Sequence, residues 1–521
     1  MNKDFCLLDE PWLLVRFADG RVEELGLLEV FARSGEIVAL ADTAPPNLVA
    51  HYRLLLAITH RALSEAFGRW REKDRARWFR EGLPQAEIRG YLETWRERFW
   101  LFHPEQPFMQ VAALATAEET RDKYKPWTQI ALASASGNAP MVFDHACDLT
   151  PTAIRPALAL ATLLGFLQFT PGGLVKSLRD SDKAGALANT AAVLPLGENL
   201  AQTLCLALHP APRNDAEPDL PTWERESPSI AALRGEPLLA TGPNDRYTRL
   251  SRAVLLRREA DGNVRWLHYA AGLALGEDPN APDPMASFRA GSNGLVRLTF
   301  SEGRALWRDL PALVPHAGAG SQAAAVVQNA IGLHGNLAHF EPVHQPLLVA
   351  GLASDQAKLL RWRLERISLP SALLLEPDKA LYLRGRLELA ETLFLELRRL
   401  ASGMLAETLP DPASKDTRAR ARSLVDAGPL AASYFAAAER ALPELLDGIG
   451  AGALDEAESL WRGVLHRSAE AAWQQVLAGL GYSSRALRAD ARYWPRFRGL
   501  LKAQLAISDD PTIDVDKEAM S

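Results

Sequence analysis

A chain of 521 residues is too long for one simple core, so two or three domains are expected. Apolar residues at 48% and charged residues at 23% are ordinary for a globular protein and exclude wholesale disorder. The formal net charge of −6 excludes a uniformly basic, autonomous DNA-binding protein, so any nucleic-acid contact must be local, with partners supplying part of the positive field.

The opening Asn2-Lys3-Asp4 leads into patterned sequence with no long apolar run, so no signal peptide is expected. The longest apolar stretches, such as Pro156–Phe169, are shorter than a membrane span. Cys6, Cys147 and Cys205 are widely spaced and odd in number, which is neither a disulfide framework nor a zinc-site pattern. A cytoplasmic protein is expected.

Leu7–Val15 ends in a strand-like run, Asp19-Gly20 turns the chain, and Val22–Leu25 completes a β-hairpin. After Pro45-Pro46 a helical pattern covers Asn47–Phe67, with Leu55, Ile58, Ala62 and Leu63 on one face. Further helices are predicted over Gln85–Trp100 and Thr152–Gln168, the second with Pro151 near its first turn. Pro210–Pro243 is rich in proline and acidic residues and reads as loop. Two hairpins follow: Ser251–Arg258 with Val264–His268 around Asp261-Gly262-Asn263, and Ser287–Arg289 with Leu295–Phe300 around Ser292-Asn293-Gly294. Ala350–Gln356 reads as a polar loop before a helical pattern over Ala357–Arg366.

From about Pro377 the texture is helical only. The segments Asp378–Ser402, Pro429–Leu446, Ala453–Leu480 and Ser484–Ile507 are separated by breaks at Gly403, Pro410–Pro412, Gly448–Gly452 and Gly481. The expected fold is therefore α+β: a large irregular mixed α/β body over residues 1–375, then an antiparallel four-helix bundle over 376–507. The acidic tail 508–521 is expected to be disordered.

Catalytic signatures are scarce. No GxSxG elbow or Walker A loop occurs. His334, His339 and His344, at spacings of five and five, match neither HExxH nor a zinc finger. Loop or interface histidines are the plain reading, and a metal-dependent nuclease or hydrolase is the alternative. Asp144-His145 lacks flanking ligands, and His51 and His60 are poorly spaced to share one. Neither a cofactor nor a metal is expected, and the chain reads as a binder, not an enzyme.

Basic clusters carry more information. Arg69–Arg80 interleaves cations with aromatics, and reads either as a salt-bridged helix face or as a nucleic-acid or partner contact. Arg485, Arg488, Arg492 and Arg496 recur at intervals of three and four, along one helix face. They are candidate nucleic-acid backbone contacts; the alternative is salt bridging to the acidic residues of Leu454–Glu458. Ser134–Pro140 reads as an exposed loop. In Thr170-Pro171-Gly172-Gly173-Leu174 two glycines either let the backbone approach a ligand or form an ordinary helix C-cap and turn.

Several segments, in order, resemble the CasA family, the large subunit of the type I-E CRISPR Cascade surveillance complex: Leu7–Trp12, His103–Gln110, Pro221-Thr222-Trp223 and Asp283-Pro284. The resemblance spans nearly the whole chain and implies recognition of the protospacer-adjacent motif in foreign duplex DNA, initiation of unwinding and recruitment of a helicase-nuclease. The implied partners are the other Cascade subunits, the 5′ handle of the guide RNA and target DNA. Gly172 and Gly173 match the family's glycine loop, and Gln356, preceded by Asp355, matches its glutamine wedge. Gly137–Phe143 matches the loop that docks on the guide handle and neighbouring subunits, with Gly137, Asn138, Met141, Val142 and Phe143 as its named members. Arg265–Gly272 has no lysine where the family places a lysine finger; Arg265 and His268 are the substitutes to consider. A purely structural scaffold is the other alternative.

Overall fold

The computed structural model describes residues 3–132, 149–211, 218–316, 318, 320–337, 344–355 and 358–505. They form two compact units, one of residues 1–315 with 319–369, the other of 316–318 with 370–521. The expected α+β class is found, with small sheets in the first unit and helices in the second.

The first unit is organised around the helix Pro45–Phe67, which is buried on almost every side. A helix apolar all round belongs in the middle of a domain, and this one packs against Pro156–Phe169, Gln85–Thr94, Leu200–Ala207 and Pro243–Thr248. The antiparallel strands Leu13–Phe17, Val22–Leu25 and Ile37–Leu40 form one sheet, with the first in the centre. Arg252–Arg258 pairs along its length with Val264–Ala271, and Phe288–Gly291 pairs with Gly294–Arg297. Both predicted hairpins therefore form.

Three readings need correction. Helix Gln85–Thr94 stops short of Trp100, since Arg96–Arg98 is a 3-10 turn and Trp100–Phe102 a strand paired with Asp4–Cys6. The helix expected from Thr152 starts instead at Pro156, whose fixed φ suits a first turn. The loop-then-helix reading of Ala350–Arg366 fails: His344–Asp355 and Lys358–Pro370 are long neighbouring strands, the first also paired with Ala192–Pro195.

The segments that carry the family resemblance turn out to lock the core. The Trp12 indole donates to Leu7 O at 3.0 Å. Gln110 donates to Leu101 O at 2.7 Å and accepts from Leu256 N at 2.7 Å, splicing a loop to a strand. The Trp223 indole donates to Tyr91 Oη at 2.7 Å, while Arg61 grips Glu224 through two 2.7 Å bonds. Asp283 is fully buried against Arg53 of the central helix at 2.8 Å.

In the second unit, Pro377–Thr408 runs straight through Gly403. Leu430–Arg440 and Leu442–Ala451 together fill one bundle position, because Pro443 at the start of the second cannot continue the first. Leu454–Leu480 and Ser484–Leu505 complete the bundle. Its direction alternates: Tyr434 meets Ala390, Tyr382 meets Leu454 and Glu458, and Arg492 meets Glu407. Trp461 and Trp473 are wholly buried, Trp473 stacking on Phe497 at 4.6 Å. A helix that the sequence pattern does not announce, Lys415–Ala427, packs against Pro377–Thr408 outside this set of four.

Candidate nucleic-acid interface

Helix Pro156–Phe169 is buried to its end, and Thr170 turns the chain out of it into extended backbone. Pro171 and Gly172 lead into Gly173–Ser177, which folds back antiparallel on Arg179–Asp182 with Gly173 opposite Asp182. The two glycines thus open a surface hairpin rather than a simple cap and turn. Gly173 has φ of +139° with open space beside it, so its need is conformational. At Gly172 an added Cβ would lie 3.2 Å from Ala184 N, so its need is close packing. Lys176 and Leu178 also have positive φ, strain that well-fixed surroundings must sustain.

The base of this hairpin is fixed by a buried ionic hub. Arg252, 2% exposed at the start of its strand, donates to Pro171 O at 2.6 Å and to Lys183 O at 2.7 Å. Both legs of the hairpin are thereby tied to one guanidinium. Its charge faces Asp182 at 3.3 Å, and Asp182 also accepts from Gly272 N at 2.8 Å and from Arg179 at 2.7 Å. Arg179 reaches on to Gly272 O and Gly235 O. Outside the hub the hairpin is open: Leu174 is 78% exposed, and Lys176 and Lys183 are exposed cations. Beside it lies a cleft of about 750 Å³ whose lining includes Lys183, Gly185, Asn189, Gly276 and Arg297.

Strand His344–Asp355 places Asp355 at the end of the long strand pair. Gln356 lies outside the described residues, as do Gly137, Asn138, Met141, Val142 and Phe143, together with His339, Cys147 and Asp144-His145. Strand Lys358–Pro370 touches helix Pro156–Phe169, which leads into the glycine hairpin, and His344–Asp355 packs on residues that follow it. Phe169 meets Trp362 edge to face at 6.5 Å, and a Cβ on Gly351 would sit 2.3 Å from Thr190 O. The helix that leads into the glycine hairpin therefore touches the strand that follows Gln356 in the chain, although Gly173 and Gln356 are 183 positions apart in sequence.

The two substitutes considered for the lysine finger differ: one is buried and the other half-buried. His268 is buried, hydrogen-bonded to Thr120 O at 3.0 Å, and Arg265 pairs with Glu259 at 2.9 Å. Lys176 and Lys183 are the cations the hairpin does present; nothing in their sequence spacing marked them. His334 is buried and bonded to Gln345 at 2.9 Å, and among the described residues no group of three or more His, Cys, Asp or Glu is arranged to hold a metal ion.

Of the Arg69–Arg80 cluster, Trp70, Trp78 and Phe79 are core, and buried Arg75 donates to the carbonyls of Leu208 and Asn329 while pairing with Glu72. Arg69, Arg71, Lys73, Arg77 and Arg80 remain outside. His51 and His60 are both buried, and desolvation holds each imidazole down to about 4. His60 stacks on His209 at 3.7 Å, with its nitrogens on Pro210 O and Asn244.

Arg485, Arg488, Arg492 and Arg496 are all exposed on Ser484–Leu505. The expected salt bridges to Leu454–Glu458 do not involve them: Glu458 pairs with Arg386 and Arg462, whereas Arg492 pairs with Glu407 at 2.7 Å. Arg496 lies over the Tyr493 ring.

This architecture, a mixed α/β unit with a clamped surface hairpin and a separate helical bundle, is that of large CRISPR-associated proteins. It superposes on Thermus thermophilus CasA (Cse1) with a TM-score of 0.82 at 32% identity, covering 96% of this chain and all of that one. Cse1 of Acidimicrobium ferrooxidans shares the fold with a TM-score of 0.77 at 24% identity over 97% of this chain and 99% of the other. So does a chain of a CRISPR RNA-guided surveillance complex, with a TM-score of 0.74 at 24% identity over 95% and 100%. The sequence pattern described as CRISPR-associated protein Cse1 matches residues 7–472. In sequence, the CasA/Cse1 protein of Thermus thermophilus is 36% identical over 514 residues, 95% of this chain and 97% of its own length. The chain belongs to the CasA/Cse1 family.

Proposed function

We propose that this chain is the large subunit of a type I-E CRISPR RNA-guided surveillance complex, and that it works by binding. Within it, the hairpin at Gly172-Gly173 meets the protospacer-adjacent motif of foreign duplex DNA. Gln356, beside Asp355, enters the duplex next to the motif and starts its opening for guide pairing. Gly137–Phe143 docks on the guide-RNA handle and neighbouring subunits, and the chain helps to recruit a helicase-nuclease.

The observation that carries this reading is the hairpin itself. A glycine backbone pushed to the surface, strained at two further residues and fixed underneath by a buried Arg252–Asp182 pair, is poorly explained by folding alone. It offers backbone N–H groups that no side chain screens, and the minor groove rewards such donors with a degenerate readout of several related motifs. The exposed lysines at its edges favour the same ligand through its phosphates. Opening one base step costs a few kcal/mol, to be recovered from these contacts and from guide pairing.

The test is Gly173→Val in the reconstituted complex, with Gln356→Ala beside it. The first is expected to abolish preference for motif-bearing duplex in an electrophoretic shift; the second is expected to leave complex assembly intact and weaken strand opening. Unchanged motif preference in the first variant overturns the assignment of the hairpin.

A further inference from the structure

The last helix, Ser484–Leu505, is followed by sixteen further residues of sequence. Five of them are carboxylates, Asp509, Asp510, Asp514, Asp516 and Glu518, against the single cation Lys517. Most of the chain's net charge of −6 therefore sits in this tail. The tail lies outside the described residues; the surface within its reach belongs to the same unit.

That surface is a groove. Lys415–Ala427 forms one wall, Ser484–Leu505 the other, and Pro377–Thr408 the floor of two clefts of about 400 and 440 Å³, both lined by Glu407 and Pro412. Seven arginines line the two clefts against two carboxylates, Glu407 and Asp411. Glu407 is taken by Arg492, while Arg398 and Arg399 pair with Asp426 and Glu396. Arg418, Arg422, Arg485 and Arg488 have no ion pair among the described residues. Four exposed guanidinium groups along one concavity repel one another until an anion settles between them.

Two features of geometry tie the tail to this groove. The first is where the tail starts. Ser484–Leu505 runs antiparallel to Pro377–Thr408: Tyr493 lies against Gly403, where a Cβ would sit 2.7 Å from its hydroxyl, and Gln504 O accepts from Arg462, which shares Glu458 with Arg386. The tail therefore leaves its helix near the level of Arg386, and the groove opens at Leu395 and runs on to Pro412. At 1.5 Å per helical residue, the far end of the groove is about 35 Å from the root of the tail. Sixteen extended residues reach roughly 50 Å, and Asp514 to Glu518 fall about 30–43 Å along that path. The second feature is spacing. Asp514, Asp516 and Glu518 alternate with Val515 and Lys517, so extended backbone would turn all three carboxylates to one side, roughly 7 Å apart. Arg418 and Arg422 on one wall, like Arg485 and Arg488 on the other, stand one helical turn apart, about 5–6 Å.

We propose that the acidic tail folds back and docks in this groove, pairing with the arginines of both walls. The docked tail closes the surface to weaker anions, and a polyanion that enters must displace it. Both partners belong to one chain, so the contact forms at an effective concentration of about millimolar and needs little intrinsic affinity. The proposal is independent of the glycine hairpin, which lies in the other unit.

The experiment uses the full-length chain carrying Arg422→Lys or Arg488→Lys, each of which keeps the charge and supplies an amine. A carbodiimide activates a carboxylate, the adjacent amine attacks it to form an amide, and the carbodiimide leaves as a urea. Mass spectrometry of the digest locates the amide. Amides from Asp514, Asp516 or Glu518 to the introduced lysine, within one chain, are expected in both variants. In about 1 M salt, where charges are screened beyond about 3 Å, their yield should fall at least about fivefold. Lys502, exposed beside the root of the tail, reports the reactivity of a tail that does not dock. Tail amides to Lys502 alone overturn the proposal, as does a yield indifferent to salt. So do amides found only in a product that joins two copies of the chain.

Discussion

Arg252 shows how one residue shapes a surface it does not reach. It is buried, and its charge is tolerable because Asp182, three carbonyls and the Tyr269 hydroxyl receive it. Removing one partner of such a pair typically costs about 3–5 kcal/mol, since the other charge stays behind unpaired. Arg252→Gln is expected to lower the unfolding free energy from urea titration by that order, with Asp182→Asn close behind; a change indistinguishable from wild type contradicts the clamp. The buried histidines make a second prediction. Unfolded imidazoles titrate near 6.5, but desolvation holds His51 and His60 down to about 4, and His209 well below its ordinary value. Above pH 6.5 both states are neutral and stability is complete. Between 6.5 and 4 the unfolded chain takes up protons that the folded chain refuses, so stability falls as pH falls, by up to about 1.4 kcal/mol per pH unit for each such group. Urea midpoints at pH 7 and pH 5 should therefore separate, and His209→Phe, which keeps the ring stack, should narrow the gap. Equal midpoints contradict the burial of these rings.

Elements differ in how plainly the sequence announces them. Asp19-Gly20 and Asn293-Gly294 punctuated their hairpins correctly, because glycine at a positive φ is a local requirement. The Ala357–Arg366 stretch misled, because Ala, Lys, Leu, Arg and Glu favour helix locally, while pairing with His344–Asp355 decides the outcome. Lys415–Ala427 was missed for the opposite reason: only Ala421 and Val425 are buried, so there is almost no apolar period to read, and the helix is marked chiefly by its Ser414 cap. Gly403 reads as a break in the sequence, whereas its role is steric room for Tyr493. Gly403→Val is accordingly expected to destabilise the chain by about 1–3 kcal/mol, and Tyr493→Ala should relieve much of that. Strict additivity in the double variant contradicts the close packing. At the candidate interface, Gly172 and Gly173 were legible through their resemblance to a family. The Arg252 hub and Lys183 were not, since a buried arginine in a strand and a lone exposed lysine carry no sequence signal until the fold brings them together.

At the scale of the whole molecule, a chain of net charge −6 still presents local cations: Lys176 and Lys183 on the glycine hairpin, Arg69, Arg71, Lys73, Arg77 and Arg80 along one segment, and Arg485, Arg488, Arg492 and Arg496 on Ser484–Leu505. No helix among the described residues is long and apolar enough to cross a membrane. Local cations on an acidic chain would confine nucleic acid to chosen tracks, where uniform basicity would hold DNA of any sequence. The central claim is that the hairpin at Gly172-Gly173 is where duplex DNA is met, and Leu174, exposed beside them, is the position from which to ask. A photo-crosslinking amino acid in place of Leu174 in the reconstituted complex is predicted to attach to the base pairs of the protospacer-adjacent motif, and to lose that product when the motif is scrambled. Crosslinks of equal yield on motif-bearing and scrambled duplex, or none to DNA at all, would contradict the account.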